Sequence, residues 1–240
     1  MENNSLKLID FHSHILPGID DGSDSLETSL KMLEISKNQG VDIIVSTSHY
    51  YNFRETSSNF IYKRDDALCR LEQHIKEHDL DLPEIVPAAE VRLFPELHRD
   101  ENLGRLCVGN TRNILVEMPF SSWSDWMYNE IYALITMGYQ PIMAHAERFV
   151  GAVKEKEILT KLLSMDVYVQ TNAESFEDRK MRSLIKKFIK LDRLTVLGSD
   201  CHNLGSRISR FDNACNYITK KYGKEYLQVL MENADYLINN

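Results

Sequence analysis

The chain has 240 residues and a formal net charge of −8, from 28 Lys and Arg against 36 Asp and Glu. That acidic balance argues against a nucleic-acid backbone as partner, and no apolar run approaches the ~18 residues that cross a bilayer, so neither nucleic-acid binding nor membrane insertion is expected. With 43% apolar and 27% charged residues, the composition is that of an ordinary globular protein with a substantial core.

Residues 6–14 (LKLIDFHSH) read as a strand, with no basic-then-apolar signal pattern before them. Residues 25–40 read as a helix: Leu26, Leu30 and Leu33 share a face, Asp24 with Glu27 can form a capping box, and Gly40 can end it. Residues 41–49 (VDIIVSTSH) form the next strand, 58–78 a helix, 84–91 a strand and, after a longer connection, 113–120 another strand. A helix at about 124–137 leads to a strand at 140–148. A helix at 154–165, a strand at 167–175, a helix at 178–190 and a strand at 194–202 follow, and 208–238 reads as helical to the end. Seven strands alternating with helices imply parallel strands joined by right-handed crossovers. Several are apolar throughout, as strands covered on both faces are. A doubly wound sheet and a closed barrel fit this pattern alike. No linker divides the chain, so residues 1–240 are expected to form a single domain, with 95–111 the alternative boundary. Cys69, Cys107, Cys201 and Cys215 form no CxxC pair and suggest no disulfide framework, which points to free thiols in a reducing cytoplasm.

Six of the seven strands end in groups that ligate metals. The first carries His12 and His14, the second His49, the third Glu90, the fourth Glu117, the fifth His145 and the seventh Asp200 and His202, while Asp21 lies in the first loop. Residues i and i+2 of a strand share a face, so His12/His14 and Asp200/His202 read as chelating pairs. In barrels and open α/β sheets alike, the C-terminal strand ends form the active face. Taken singly, a strand histidine is more often a satisfied core residue, and Glu90 or Glu117 is able to cap a helix. His74, His78 and His98 fall in a helix or loop and are read as structural. Together, burying this many unpaired charges costs several kcal/mol each, and bound cations resolve that cost. Five imidazoles and four carboxylates without a thiolate suit Mn2+, Fe2+ or Zn2+. Nine ligands exceed one ion, so two or three divalent ions are expected.

DFHSH, TSH at 47–49, AE at 89–90, HAER at 145–148 and SDCHN at 199–203 resemble the metal motifs of the polymerase-and-histidinol-phosphatase (PHP) superfamily. PGIDDG, QTN at 170–172 and Arg207 narrow the resemblance to the bacterial tyrosine-protein phosphatases encoded with capsule and exopolysaccharide genes. It runs from about residue 8 to 207 and implies an α/β fold, a distorted seven-stranded TIM-like barrel of PHP type holding three ions. It implies that His12, His14 and Asp200 hold one ion, that Glu117 and His145 hold a second with Glu90 bridging the two, and that Asp21, His49 and His202 hold the third. The implied substrate is a phosphotyrosine-bearing tail, that of a cognate bacterial tyrosine kinase. Two departures leave every ligand in place: relatives often read T-P-H where this chain has Thr47-Ser48-His49, and a small residue where it has Cys201.

Three divalent ions over four carboxylates leave a positive site, to which Arg148 and Arg207 add. Such a site suits a phosphate monoester, with the ions activating a water for in-line attack and the arginines orienting the phosphoryl group as the catalytic side chains. The bland alternatives are an Arg148–Glu147 salt bridge and a solvated Arg207. Cys201 to Arg207 also fits the C-x5-R pattern of cysteine-dependent phosphatases, but strand alternation turns Cys201 away from its ligand neighbours. Tyr50, Tyr51 and Phe53 either wall a phosphotyrosine ring or pack against helix tops, and Trp123, Trp126 and Tyr128 read as the latter. A small-molecule phosphatase, such as a histidinol-phosphate hydrolase, and a non-catalytic metal-binding regulator are the competing functions.

Overall fold

The computed structural model describes residues 7–119, 124–152, 160–161 and 164–240. The helix expected at 154–165 falls largely outside them, as does Trp123. One parallel sheet pairs β1 (Leu8–Ser13), β2 (Val41–Ser46) and β4 (Glu84–Pro87) in that order. The other pairs β3 (His49–Tyr50), β5 (Glu90–Arg92), β6 (Asn113–Glu117), β7 (Gln140–Met143), β8 (Tyr168–Asn172) and β9 (Val196–Gly198), parallel and in chain order.

Two of the expected strands are thus each interrupted, the second at Thr47–Ser48 and the third at Ala88–Ala89. The breaks keep their backbone bonded: Thr47 N donates to Ser13 O at 2.8 Å and Ala88 N to Ser46 O at 2.8 Å. The other expected strands after the third also end early, at Glu117 and Asn172 for 113–120 and 167–175. The 140–148 segment is a strand only to Met143, and Ala146–Ala152 is already helix α5 (numbering the helices α1 Leu26–Asn38, α2 Ser57–Glu77, α3 Leu103–Leu106 and α4 Asp125–Thr136 before it). The 194–202 segment is a strand only at Val196–Gly198. After α6 (Arg179–Lys190), the single terminal helix expected is two, α7 (Phe211–Tyr222) and α8 (Lys224–Asn239), parted at Gly223, whose φ is +96°. Helix α1 is capped one residue later than expected, by Ser25, whose side chain accepts from Thr28 N.

The strands are apolar because both their faces are covered. Ile9, Phe11, Ile44, Val45, Ile114, Leu115, Ile142, Val169 and Val196 are fully buried. Helix α8 packs on β9 and β1, and Asn113 Nδ2 donates to Leu237 O and Asn240 O, both at 2.7 Å, fastening the C-terminus beneath the sheet. Beyond β9, Asp200 N donates to His12 O at 2.7 Å and His14 N to Cys201 O at 2.9 Å, so the last strand runs beside the first. Gly198 permits that approach: a Cβ there would lie 2.4 Å from the Cβ of His12. The result is an α/β fold whose parallel sheet curves into a half-barrel. Among the described residues, no helix is long and apolar enough to cross a membrane.

Candidate metal centre

The C-terminal ends of the strands bring the nine expected ligands to one mouth. His12 and His14 are fully buried and each spends Nδ1 on a protein partner: His12 Nδ1 donates to Gln170 Oε1 at 3.1 Å, and His14 Nδ1 to Asp20 Oδ2 at 2.7 Å. That fixes both Nε2 atoms inward, 3.1 Å apart. Glu90 Oε2 lies 3.2 and 3.3 Å from them, and Asp200 Oδ1 3.5 and 3.4 Å. Ligand atoms about 2.0–2.2 Å from one ion stand roughly 3.0–3.5 Å from each other, so these four donors have the spacing of a coordination shell.

Glu90 reaches further. Its Oε2 is 2.9 Å from His49 Nδ1 and its Oε1 2.7 Å from His145 Nε2. Glu117, His49 and Glu90 bring donor atoms within 4.8 Å of one another, and Glu117 Oε2 is buried with no hydrogen-bond partner among the described residues. His202 donates from Nδ1 to Asp200 O at 2.9 Å, leaving Nε2 buried with no hydrogen-bond partner among the described residues. Asp21 Oδ1 stands 3.6 Å from that Nε2 and 3.5 Å from His49 Nε2. His14, His49 and His202 also bring nitrogens within 4.8 Å.

The electrostatics suit cations. Burial opposes charge on Glu90 and Asp200, yet the imidazoles facing them, His12 foremost, hold both carboxyls well below the usual range. Burial also opposes charge on His14, but Asp20, with Asp200 and Glu90, more than offsets it and raises the imidazole well above its ordinary value. Glu117 goes the other way, raised by burial and by neighbouring Glu90. His202 is depressed to about 3 by burial and by His14, whose ring centroid is 3.7 Å away, so it stays neutral with a lone pair exposed to the site. Without a cation, protons must do the neutralising; a divalent ion displaces them.

His14, His145, Asp200 and His202 all lie beyond the ends of their strands. The chelating-pair reading of Asp200 and His202 therefore fails as strand geometry. Asp200 takes a left-handed conformation (φ +54°), as does His145 (φ +31°), turning these side chains out of register. Asp200 faces His12 and His14, whereas His202 faces Asp21.

Asp200 also ties the arginines to the centre. Its Oδ2 lies 3.0 Å from Arg148 Nη1 and its Oδ1 2.9 Å from Arg207 Nη2, while Arg207 Nη1 is 3.6 Å from Asp21 Oδ2. Arg207 is thus no solvated loop residue. Glu147, the bland partner for Arg148, is fully buried and accepts from Asn172 N at 3.0 Å and Ser175 Oγ at 2.7 Å.

Residues 8–239 match the family model for capsular polysaccharide synthesis, CpsB/CapC. The chain belongs to the CpsB/CapC family. It is 27% identical to the tyrosine-protein phosphatase YwqE of Bacillus subtilis, over 97% of this chain and 92% of that one. It is 29% identical to the tyrosine-protein phosphatase CpsB of Streptococcus agalactiae, over 97% and 99%. A solved structure from a study of Bacillus subtilis YwqE and Streptococcus pneumoniae CpsB, described as unique metal-dependent tyrosine phosphatases, superposes with a TM-score of 0.87 at 25% identity, covering 97% and 95% of the two chains. The phosphotriesterase homology protein of Escherichia coli, at 11% identity and a TM-score of 0.54, shares the fold alone.

Several supporting residues of this CpsB/CapC site carry no sequence signal as ligands. Asp20 accepts from His14 Nδ1, from His49 N at 2.7 Å and from Gly22 N at 2.9 Å, so it aims one ligand and anchors the backbone of another. Gly22 is required there, since a Cβ would lie 2.3 Å from His14 O. Gln170 Oε1 takes His145 N at 2.7 Å besides His12, Gln170 Nε2 donates to Asn172 Oδ1 at 3.0 Å, and Asn172 Nδ2 donates to Asp200 Oδ2 at 2.7 Å. One amide relay thus orients three of the expected ligands, His12, His145 and Asp200. Asp10, a carboxylate inside an apolar strand, accepts from Ser199 N at 2.7 Å and is raised to about 6 by burial. Asp20→Asn turns an amide N–H toward a backbone donor; it is expected to weaken Mn2+ binding roughly 10–100-fold, read by titrating the metal into stripped protein.

Cys201 lies in the apolar core, and burial pushes its thiol up to about 12, which removes the thiolate that the C-x5-R chemistry needs. Cys201→Ala is expected to keep kcat/KM on a phosphomonoester within about twofold; loss of turnover would restore the cysteine reading. Tyr50 is buried against Phe60 and Phe94, with ring centroids at 5.3 and 6.3 Å, so it packs a helix top as the bland reading holds. Trp126 packs partly on the core, and Tyr128 is exposed.

Proposed function

We propose that this chain is a metal-dependent protein-tyrosine phosphatase that hydrolyses phosphotyrosine on the tail of a cognate bacterial tyrosine kinase controlling capsular or exopolysaccharide synthesis. The observation that carries the reading is the convergence of His12, His14, Glu90 and Asp200 at coordination spacing, with Arg148 and Arg207 on the same Asp200. Carboxylates and neutral imidazoles favour two or three ions, Mn2+ before Fe2+ or Zn2+. In this reading His12, His14 and Asp200 hold one, Glu117 and His145 a second with Glu90 between them, and Asp21, His49 and His202 the third. We take the two sheets as one distorted seven-stranded barrel, with β2–β3 and β4–β5 as single kinked strands, and residues 1–240 as one domain. Four free cysteines support a cytoplasmic home.

Bound divalent ions supply charge neutralisation of the phosphoryl oxygens and an acidified water. The protein's own groups do the rest. Arg148 and Arg207 present guanidinium donors at the two oxygens of Asp200, from which the equatorial oxygens of a phosphoryl group would gain charge-assisted bonds. The Gln170–Asn172 relay and Asp20 keep the ligand nitrogens aimed without rearrangement during turnover. Arg207→Ala and Arg148→Ala are each expected to lower kcat/KM about 10–1000-fold with metal content unchanged. The reading is tested by assaying Mn2+-loaded protein on phosphotyrosine, phosphoserine and histidinol phosphate side by side. Preference for phosphotyrosine supports it, preference for histidinol phosphate would establish the small-molecule rival, and tight metal uptake with no turnover of any ester would leave a metal-binding regulator.

A further inference from the structure

His49, Tyr51 and Phe53 alternate along the chain that leaves β3, and their rings form a row. The Tyr51 ring centroid is 5.0 Å from that of His49 with planes 22° apart, and the Phe53 centroid is 5.5 Å from Tyr51 with planes 10° apart. The row begins on an imidazole of the metal centre and ends in solvent, where Phe53 is 68% exposed. Arg54 stiffens it, with Cζ 4.7 Å from the Tyr51 centroid and 5.9 Å from that of Phe53, and Arg92 Cζ lies 5.8 Å from Tyr51. Tyr50 is buried in the core, whereas Tyr51 stacks on His49 and Phe53, in the turn that follows β3, stacks on Tyr51. Stacked on His49, whose Nδ1 is 2.9 Å from Glu90, the Tyr51 ring borders the ligand cluster. A single exposed aromatic needs no explanation; a parallel row leading out of a metal centre does.

We propose that Tyr51 and Phe53 form the subsite for the substrate's aromatic ring and make the centre select aryl over alkyl phosphate esters. The inference rests on the phosphatase reading. A phosphoryl group held by the ligands and the two arginines directs its ester oxygen outward, and the ester's first carbons then run along whatever borders the cluster. Here that border is a row of ordered aromatic rings ending on the exposed Phe53, and an aryl group packed against it gains up to about tenfold in affinity per ring contact. A seryl ester has no ring to place there.

Two measurements on Mn2+-loaded protein test this. The first is kcat/KM for phosphotyrosine and for phosphoserine in wild type, Phe53→Ala and Phe53→Trp. The second is binding of phenylphosphonate against methylphosphonate by calorimetry, with metal content checked in each sample. The wild-type preference for the aryl ligand is expected to shrink roughly tenfold in Phe53→Ala, through KM, and to return in Phe53→Trp. Equal losses on both esters, or an unchanged phenyl-to-methyl binding ratio, would overturn the proposal. A wild type that turns over neither ester yet binds phenylphosphonate better, in a Phe53-dependent way, would sink the phosphatase reading and uphold the ring subsite.

Discussion

Asp200→Ala is expected to lower kcat/KM on phosphotyrosine by about a thousandfold or more and to abolish tight metal binding. Among the described residues, no other side chain touches so many parts of the centre. Asp200 faces both inward Nε2 atoms of His12 and His14, receives Asn172 Nδ2 and lies within ion-pair distance of Arg148 and Arg207. Removing it takes away one ligand, and leaves two guanidiniums and a pair of imidazoles facing each other across the gap. Asp200→Asn separates charge from shape. It keeps the side-chain volume but turns an amide N–H₂ toward Asn172 and Arg148 or toward Arg207, so the metal-free protein should melt below the wild-type temperature, and turnover should fall nearly as far as with alanine. Kinetics, metal analysis and a thermal melt of the three proteins decide it. Wild-type turnover in Asp200→Asn would mean that the carboxylate charge is not what the centre uses.

Glu90→Gln should have a comparable effect for a different reason. Glu90 is fully buried, and its two oxygens divide the work, Oε2 toward His12, His14 and His49 and Oε1 toward His145. An amide of the same shape offers one oxygen and one N–H₂, so one side of the bridge must present a donor to an imidazole. The variant is expected to bind at least one ion fewer per chain and to lose about a thousandfold in kcat. Elemental analysis beside steady-state kinetics checks both together. Full metal content with lost turnover would instead assign Glu90 to proton handling and not to bridging.

Much of this centre was legible because parallel strands buried on both faces print as apolar runs, and the polar residues that end them stand out. His12, Glu90 and Glu117 are read that way; Cys201 is buried as expected, but it lies beyond β9 and past the left-handed Asp200, so strand alternation is not what turns it inward. What the sequence hides is tertiary. The pause at Thr47–Ser48 has no Gly or Pro to announce it, whereas Pro87 stands directly before the one at Ala88–Ala89; at both, neighbouring strands supply backbone partners. The left-handed turns at His145 and Asp200 carry no glycine signal either, and are held by contacts such as Gln170 Oε1 on His145 N and His12 O on Asp200 N. Asp20 beside Asp21 shows the limit most plainly. Adjacent and identical, one orients His14 from behind while the other faces His49 and His202, and only the path of the Pro17–Gly22 loop tells them apart. Gly223 is the helix breaker within 208–238, a stretch whose apolar pattern otherwise reads as one helix.

The central claim is that divalent ions held by these nine residues, with Arg148 and Arg207, hydrolyse phosphotyrosine. It is tested most directly by stripping the protein with a chelator and titrating Mn2+ back while following phosphotyrosine hydrolysis and bound metal in the same sample. The account predicts no turnover in the stripped protein, and activity that rises with occupancy and saturates at two or three ions per chain. Turnover that survives stripping, or that saturates with a single ion, would contradict it.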